Sequence, residues 1–96
     1  MTKKSETKVQ QQWLGVVRFM SAVIWAHGAT ADEAAVSAAK QARRDLGHYI
    51  KGKAKVEWTV NLYEVEGLDW SYDDWTGFQT EDGRVLKVAQ HQKVTA

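Results

Sequence analysis

The chain has 96 residues, no cysteine, no proline, and a net charge of +1 from 13 bases and 12 acids. That length makes one domain, and 44% hydrophobic content with five Trp gives it a core to bury. Without cysteine there is no disulfide framework, no thiolate metal site and no cysteine nucleophile, which fits a reducing, cytoplasmic setting.

Residues 1–12 are polar, lack an apolar period and read as a flexible tail. Lys3, Lys4 and Lys8 precede the apolar run Trp13 to Ala26, and Ala29-Thr30-Ala31 follows it, in the outline of a secretory signal. Arg18 breaks that run to about eight clean residues, the low end of a signal core, so the segment reads as a core strand instead. A membrane-spanning helix needs about 20 apolar residues and is not expected here.

Trp13 to His27 is rich in β-branched and aromatic residues and reads as strand. As one strand, it puts Trp13, Val17, Phe19, Val23 and Trp25 on one parity, and Arg18, Met20, Ala22, Ile24 and Ala26 on the other. Fifteen residues is long for a strand, so a bend or bulge is expected at Gly15 or Ser21-Ala22, or a division into two short strands.

Thr30-Ala31-Asp32-Glu33 is a capping box: the Thr30 oxygen can accept from the Glu33 amide, and Glu33 can reach back. The spacing predicts a helix from about Ala31 to Leu46, with Ala35, Ala38, Ala39, Ala42 and Leu46 on one stripe. A stripe made mostly of alanine lets a helix lie close to a sheet. Lys40, Arg43 and Arg44 favour the negative helix end, and Gly47 supplies a stop. After a connector at 48–54, Val56, Trp58, Val60 and Leu62 alternate with Glu57, Thr59, Asn61 and Tyr63, predicting a half-buried strand. Asp82-Gly83, between the strand-like runs Gly77 to Thr80 and Arg84 to Ala89, signals a hairpin. Residues 91–96 read as a polar tail. The expected fold is α+β, in the order β-α-β-β-β: one helix packed on a three- to four-stranded antiparallel sheet, within a single domain over residues 13–90.

Charge is segregated along the chain. Residues 64–82 carry seven carboxylates (Glu64, Glu66, Asp69, Asp73, Asp74, Glu81, Asp82) and no base. Residues 40–55 carry six bases (Lys40, Arg43, Arg44, Lys51, Lys53, Lys55) against Asp45 alone. Acids interleaved with large aromatics suit a protein interface, because rigid rings anchor and carboxylates complement basic surfaces. The candidate partner-binding residues are therefore Asp69, Trp70, Tyr72, Asp73, Asp74 and Trp75. Alternate rings among them can also cover the sheet while Asp73-Asp74 turns the chain. The basic residues Lys40, Arg43, Arg44, Lys51, Lys53 and Lys55 are an alternative nucleic-acid surface along a phosphate backbone.

No catalytic pattern is present. His27, His48 and His91 have no ligand spacing, Ser21, Ser37 and Ser71 lie in no nucleophile motif, and there is no Gly-rich phosphate loop. Paired carboxylates at Asp69, Asp73 and Asp74 need a shaped pocket that a small sheet domain rarely supplies. No metal, cofactor or reaction is expected.

The size, the missing cysteine, the order strand–helix–strand–hairpin and the helix entry at Ala29 to Ala35 give an architecture that resembles small phage and mobile-element inhibitors of host defence, including some anti-CRISPR proteins. The resemblance carries over no residue. It implies a non-enzymatic inhibitor that occupies a surface on a larger host protein or ribonucleoprotein complex.

Overall fold

The computed structural model describes residues 12–49, 55–65, 69–73, 75 and 77–96. Lys3, Lys4 and Lys8 of the expected tail, together with Lys51, Lys53, Glu66 and Asp74, lie outside them. The fold is α+β, with one helix packed on a four-stranded antiparallel sheet and a second, two-stranded sheet.

The first apolar segment is a hairpin, β1 (Trp13–Phe19) and β2 (Ala22–Gly28), turning at Met20-Ser21. Met20 takes the left-handed conformation (φ 56°) that a tight turn demands. The turn places Phe19 opposite Ala22, so odd positions of β1 share a face with even positions of β2. Val23 and Trp25 therefore lie on the face opposite Trp13, Val17 and Phe19. An unbroken strand would have put all five together.

Helix α1 (Ala31–Asp45) has the expected cap. The Glu33 amide donates to the Thr30 hydroxyl oxygen at 3.1 Å, and the Ala29 amide donates to the Glu33 carboxylate at 3.1 Å. Ala34, Ala35, Ala38, Ala39 and Ala42 are fully buried beneath it. With no larger side chain in the way, the helix approaches the sheet until a Cβ on Gly15 would stand 2.6 Å from the Ala34 carbonyl oxygen. Gly28 is pressed against Ala34 in the same way. A short 3-10 turn (Gly47–Tyr49) follows the helix.

β3 (Glu57–Glu64) pairs with β1 and puts Trp58, Val60 and Leu62 under the helix, as its alternation predicts. β4 (Trp70–Asp73) and β5 (Gly77–Thr80) form the small second sheet. The Asp82-Gly83 turn forms, with Gly83 donating to the Thr80 carbonyl at 2.9 Å. The return segment makes only an isolated Gln79–Val85 bridge and a Leu86–Phe78 backbone bond, so the expected strand at 84–89 is absent. β5 takes β4 as its partner because both can put their rings on one apolar face. The C-terminal residues, expected to be a tail, form the edge strand β6 (Gln90–Thr95), antiparallel to β3. Val56 and Ala96 exchange both backbone bonds at its end (2.9 and 3.0 Å), and Val94 packs on the core.

The sheet order is β2-β1-β3-β6. Helix α1 covers one face of the sheet, and the β4–β5 hairpin covers Leu14, Val16 and Tyr63 on the other. The result is three layers.

Candidate partner surface

Strand alternation decides what the acidic aromatic stretch does. In β4, Trp70 and Tyr72 turn inward, whereas Ser71 and Asp73 turn to solvent. Tyr72 stands opposite Phe78 on β5, and their ring centroids are 4.9 Å apart. Phe78 is the buried hub: the rings of Trp25 (5.4 Å), Tyr63 (5.5 Å) and Trp70 (5.5 Å) surround it. Trp25 also meets Tyr72 at 5.4 Å and Trp70 at 6.2 Å, edge to face. Trp70 and Tyr72, two of the expected anchors, thus fix the hairpin to the sheet through ring contacts and apolar burial.

Trp75 behaves differently. It sits at the hairpin tip with 94% of its surface exposed. Its backbone amide donates to the Asp73 carboxylate at 2.7 Å, an Asx-type bond. Arg18 reaches the same tip, with Nη2 3.9 Å from where a Cβ on Gly77 would stand. The β1–β2 turn therefore lies at this end of the molecule, and Met20 projects from it 87% exposed. Beside Met20 is a small hollow lined by Phe19, Ser21, Ala22, Leu46 and Tyr49. The Tyr49 ring is exposed and lies 6.0 Å from Phe19. One end of the molecule thus presents Trp75, Met20 and Tyr49 with Asp73 and Arg18. The division into two short strands near Ser21 is legible in the sequence, but Met20, Tyr49 and Arg18 carry no signal there as surface groups, and the turn at Met20-Ser21 lacks the usual Gly or Asn.

Among the described residues the carboxylates do not converge on a chemical site. Asp69 and Asp73 are exposed. Among the described residues no group of three or more His, Cys, Asp or Glu could hold a metal ion. Asp82 belongs to the turn: the Thr80 hydroxyl donates to it, Arg84 meets it at 3.1 Å, and these contacts lower its pKa.

The basic residues are dispersed in role. Lys40, Arg44 and Lys55 are exposed. Arg44 donates weakly to Gln41 (3.5 Å), which donates to Asp45 (2.9 Å). Arg43 is half-buried, and its Nη1 is enclosed without a hydrogen-bond partner among the described residues. His27 lies 5.5 Å from Trp70, and burial lowers its pKa. His91 pairs with Asn61 at 2.7 Å.

No helix among the described residues is long and apolar enough to cross a membrane. No protein-family profile, no curated protein and no solved structure matches the chain, so the geometry of this end of the molecule carries the functional reading.

Proposed function

We propose that this is a non-catalytic binding protein that docks on a larger protein or ribonucleoprotein through the end bearing Trp75. The observation that carries the reading is the pairing of extreme exposure with a tethered backbone: Trp75 is 94% exposed, yet its amide is held by the Asp73 carboxylate. An exposed indole has no folding role to explain its placement. A ring whose own backbone is already held loses less freedom on docking, which favours a Trp as an anchor. Met20 and Tyr49 are exposed at the same end, and Asp73 favours a partner pocket rimmed by basic groups. On the architectural resemblance to small phage and mobile-element inhibitors, large defence complexes are the first partners to assay.

The test compares wild type with Trp75→Ala. The variant is expected to keep its circular dichroism and melting temperature while losing about 2 kcal/mol or more of partner affinity in calorimetry. Affinity capture from host lysate identifies the partner as a protein held by wild type and lost by the variant. Identical capture by both proteins overturns the reading.

A further inference from the structure

We propose that the hairpin segment 70–86 is a strap that opens from the sheet as one unit while the helix and the four-stranded sheet stay folded. Hydrogen bonding divides the molecule at this segment. Among the described residues, the backbone of 70–86 bonds only to itself and to Asp69. β4 pairs with β5, Leu86 donates to the Phe78 carbonyl at 2.8 Å, and Glu81 donates to the Asp69 carbonyl at 3.1 Å. Its side-chain bonds close in the same way: Asp73 accepts from the Trp75 amide, and Thr80, Asp82 and Arg84 bond to one another. The chain rejoins the sheet at Ala89, which donates to the Leu62 carbonyl at 2.7 Å.

The strands beneath are bound differently. β2, β1, β3 and β6 form one continuous ladder, and α1 packs on its other face through five buried alanines. Release of the strap breaks none of those bonds. It breaks side-chain packing: Phe78 against Trp25 and Tyr63, Trp70 against Trp25 and His27, and Tyr72 against Trp25. Phe78 is the one fully buried side chain among the described residues of the segment, whereas Trp70, Tyr72 and Leu86 are half-buried. A segment held by so few buried side chains opens at a lower free energy than strands laddered into a sheet. Off the sheet, a two-stranded hairpin is marginal in water, so its own bonds are lost together.

Trp75 rides on the strap, whereas Met20 belongs to the β1–β2 turn and Tyr49 to the turn after α1. Opening carries Trp75 away from both and uncovers Leu14, Val16 and Tyr63. On the docking reading given for Trp75, on which this consequence rests, the closed strap is the binding-competent state.

The chain has no cysteine, so single introduced thiols report the opening. Val16 lies under the strap and Val60 under α1, and both are fully buried. With an aromatic disulfide reagent and no denaturant, the Val16→Cys thiol is expected to react at least about tenfold faster than the Val60→Cys thiol. Thr30→Ala, which weakens the helix, should speed the Val60→Cys thiol about fivefold and leave the Val16→Cys thiol unchanged. Phe78→Leu should speed the Val16→Cys thiol. Equal rates for the two thiols overturn the proposal. So does equal acceleration of both by Thr30→Ala, because the strap then leaves only when the whole protein unfolds. A Val16→Cys thiol that ignores Phe78→Leu also overturns it, because another opening then exposes that site. If Val16→Cys does not fold, urea-dependent amide exchange on wild type decides. The β4–β5 amides are expected to exchange together, with a shallower urea dependence than the β1–β3 amides, and one dependence common to both overturns the proposal. Labelling and exchange are read on the free protein, so their outcome is separate from that of the Trp75→Ala docking test.

Discussion

The two faces of one sheet are covered by opposite means. On the helix face the filler is small: five buried alanines and two glycines let α1 come within backbone contact of the strands. On the other face the filler is large: Phe78, Tyr72, Trp70, Trp25 and Tyr63 pack ring against ring and hold a two-stranded hairpin away from the sheet. Small residues make a layer that is intolerant of added volume. Large ones make a layer whose stability depends on a few rings, and they leave its far end, at Trp75, free to face solvent. The same sheet thereby supports a rigid back and a presented tip.

The largest expected effect lies in the aromatic layer. Phe78→Ala removes the hub of the ring cluster, and urea denaturation should show a loss of about 3–5 kcal/mol. A loss below about 1 kcal/mol would mean that the hairpin packs loosely and that Trp70 and Tyr72 are surface groups.

The helix layer should respond to addition, not removal. Gly15→Ala places a methyl 2.6 Å from a backbone oxygen that cannot swing aside. The helix must shift, at a cost of roughly 1–3 kcal/mol. A neutral result in the same denaturation series would show slack between helix and sheet and would blur the contrast between the faces.

Thr30→Ala acts at the helix start, away from either packed layer. Losing the acceptor for the Glu33 amide should cost about 1 kcal/mol in thermal melts. Glu33→Gln, which keeps a group able to reach the Ala29 amide, should cost less.

The smallest effect is electrostatic and belongs to the aromatic face. Burial lowers the His27 pKa from its ordinary 6.5, because the charged form is disfavoured in the fold. The unfolded chain then binds a proton more readily, so stability is present above about 6.5 and is lost as pH falls toward the lower folded value. Melting temperature should drop modestly between about pH 7 and pH 5, and His27→Gln should flatten that slope. An unchanged slope in the variant would assign the effect to other groups. Asp82, lowered by its Thr80 and Arg84 contacts, acts in a separate window at and below the carboxylate range.

Legibility in the sequence followed the range of the interaction. Helix α1 was readable from Thr30 through Leu46 because cap, alanine stripe and terminal charges are all encoded within the helix itself. β3 was readable because Val56, Trp58, Val60 and Leu62 alternate cleanly. Turn chemistry was less reliable in both directions. Met20-Ser21 turns tightly with no Gly or Asn, whereas Asp82-Gly83 turns as expected but leads to a single bridge. Within the candidate site, the exposed ring and the turn at Asp73 were foreseen as a pair of possibilities. Their assignment was not: Trp70 and Tyr72 pack, half-buried, against the core, and Trp75 goes to solvent.

By itself, then, the chain determined an α+β domain with one capped, alanine-faced helix against an antiparallel sheet, because those signals repeat within a few residues. Only the tertiary structure decided the rest. Gln90 to Thr95 is too polar to declare itself a strand and becomes β6 because the edge of β3 offers it a ladder. The hairpin goes to the second face because Leu14, Val16, Trp25 and Tyr63, far apart in sequence, make one apolar surface there for Phe78 to fill. Strand partners and ring clusters are non-local choices, settled by which surfaces meet when the chain folds.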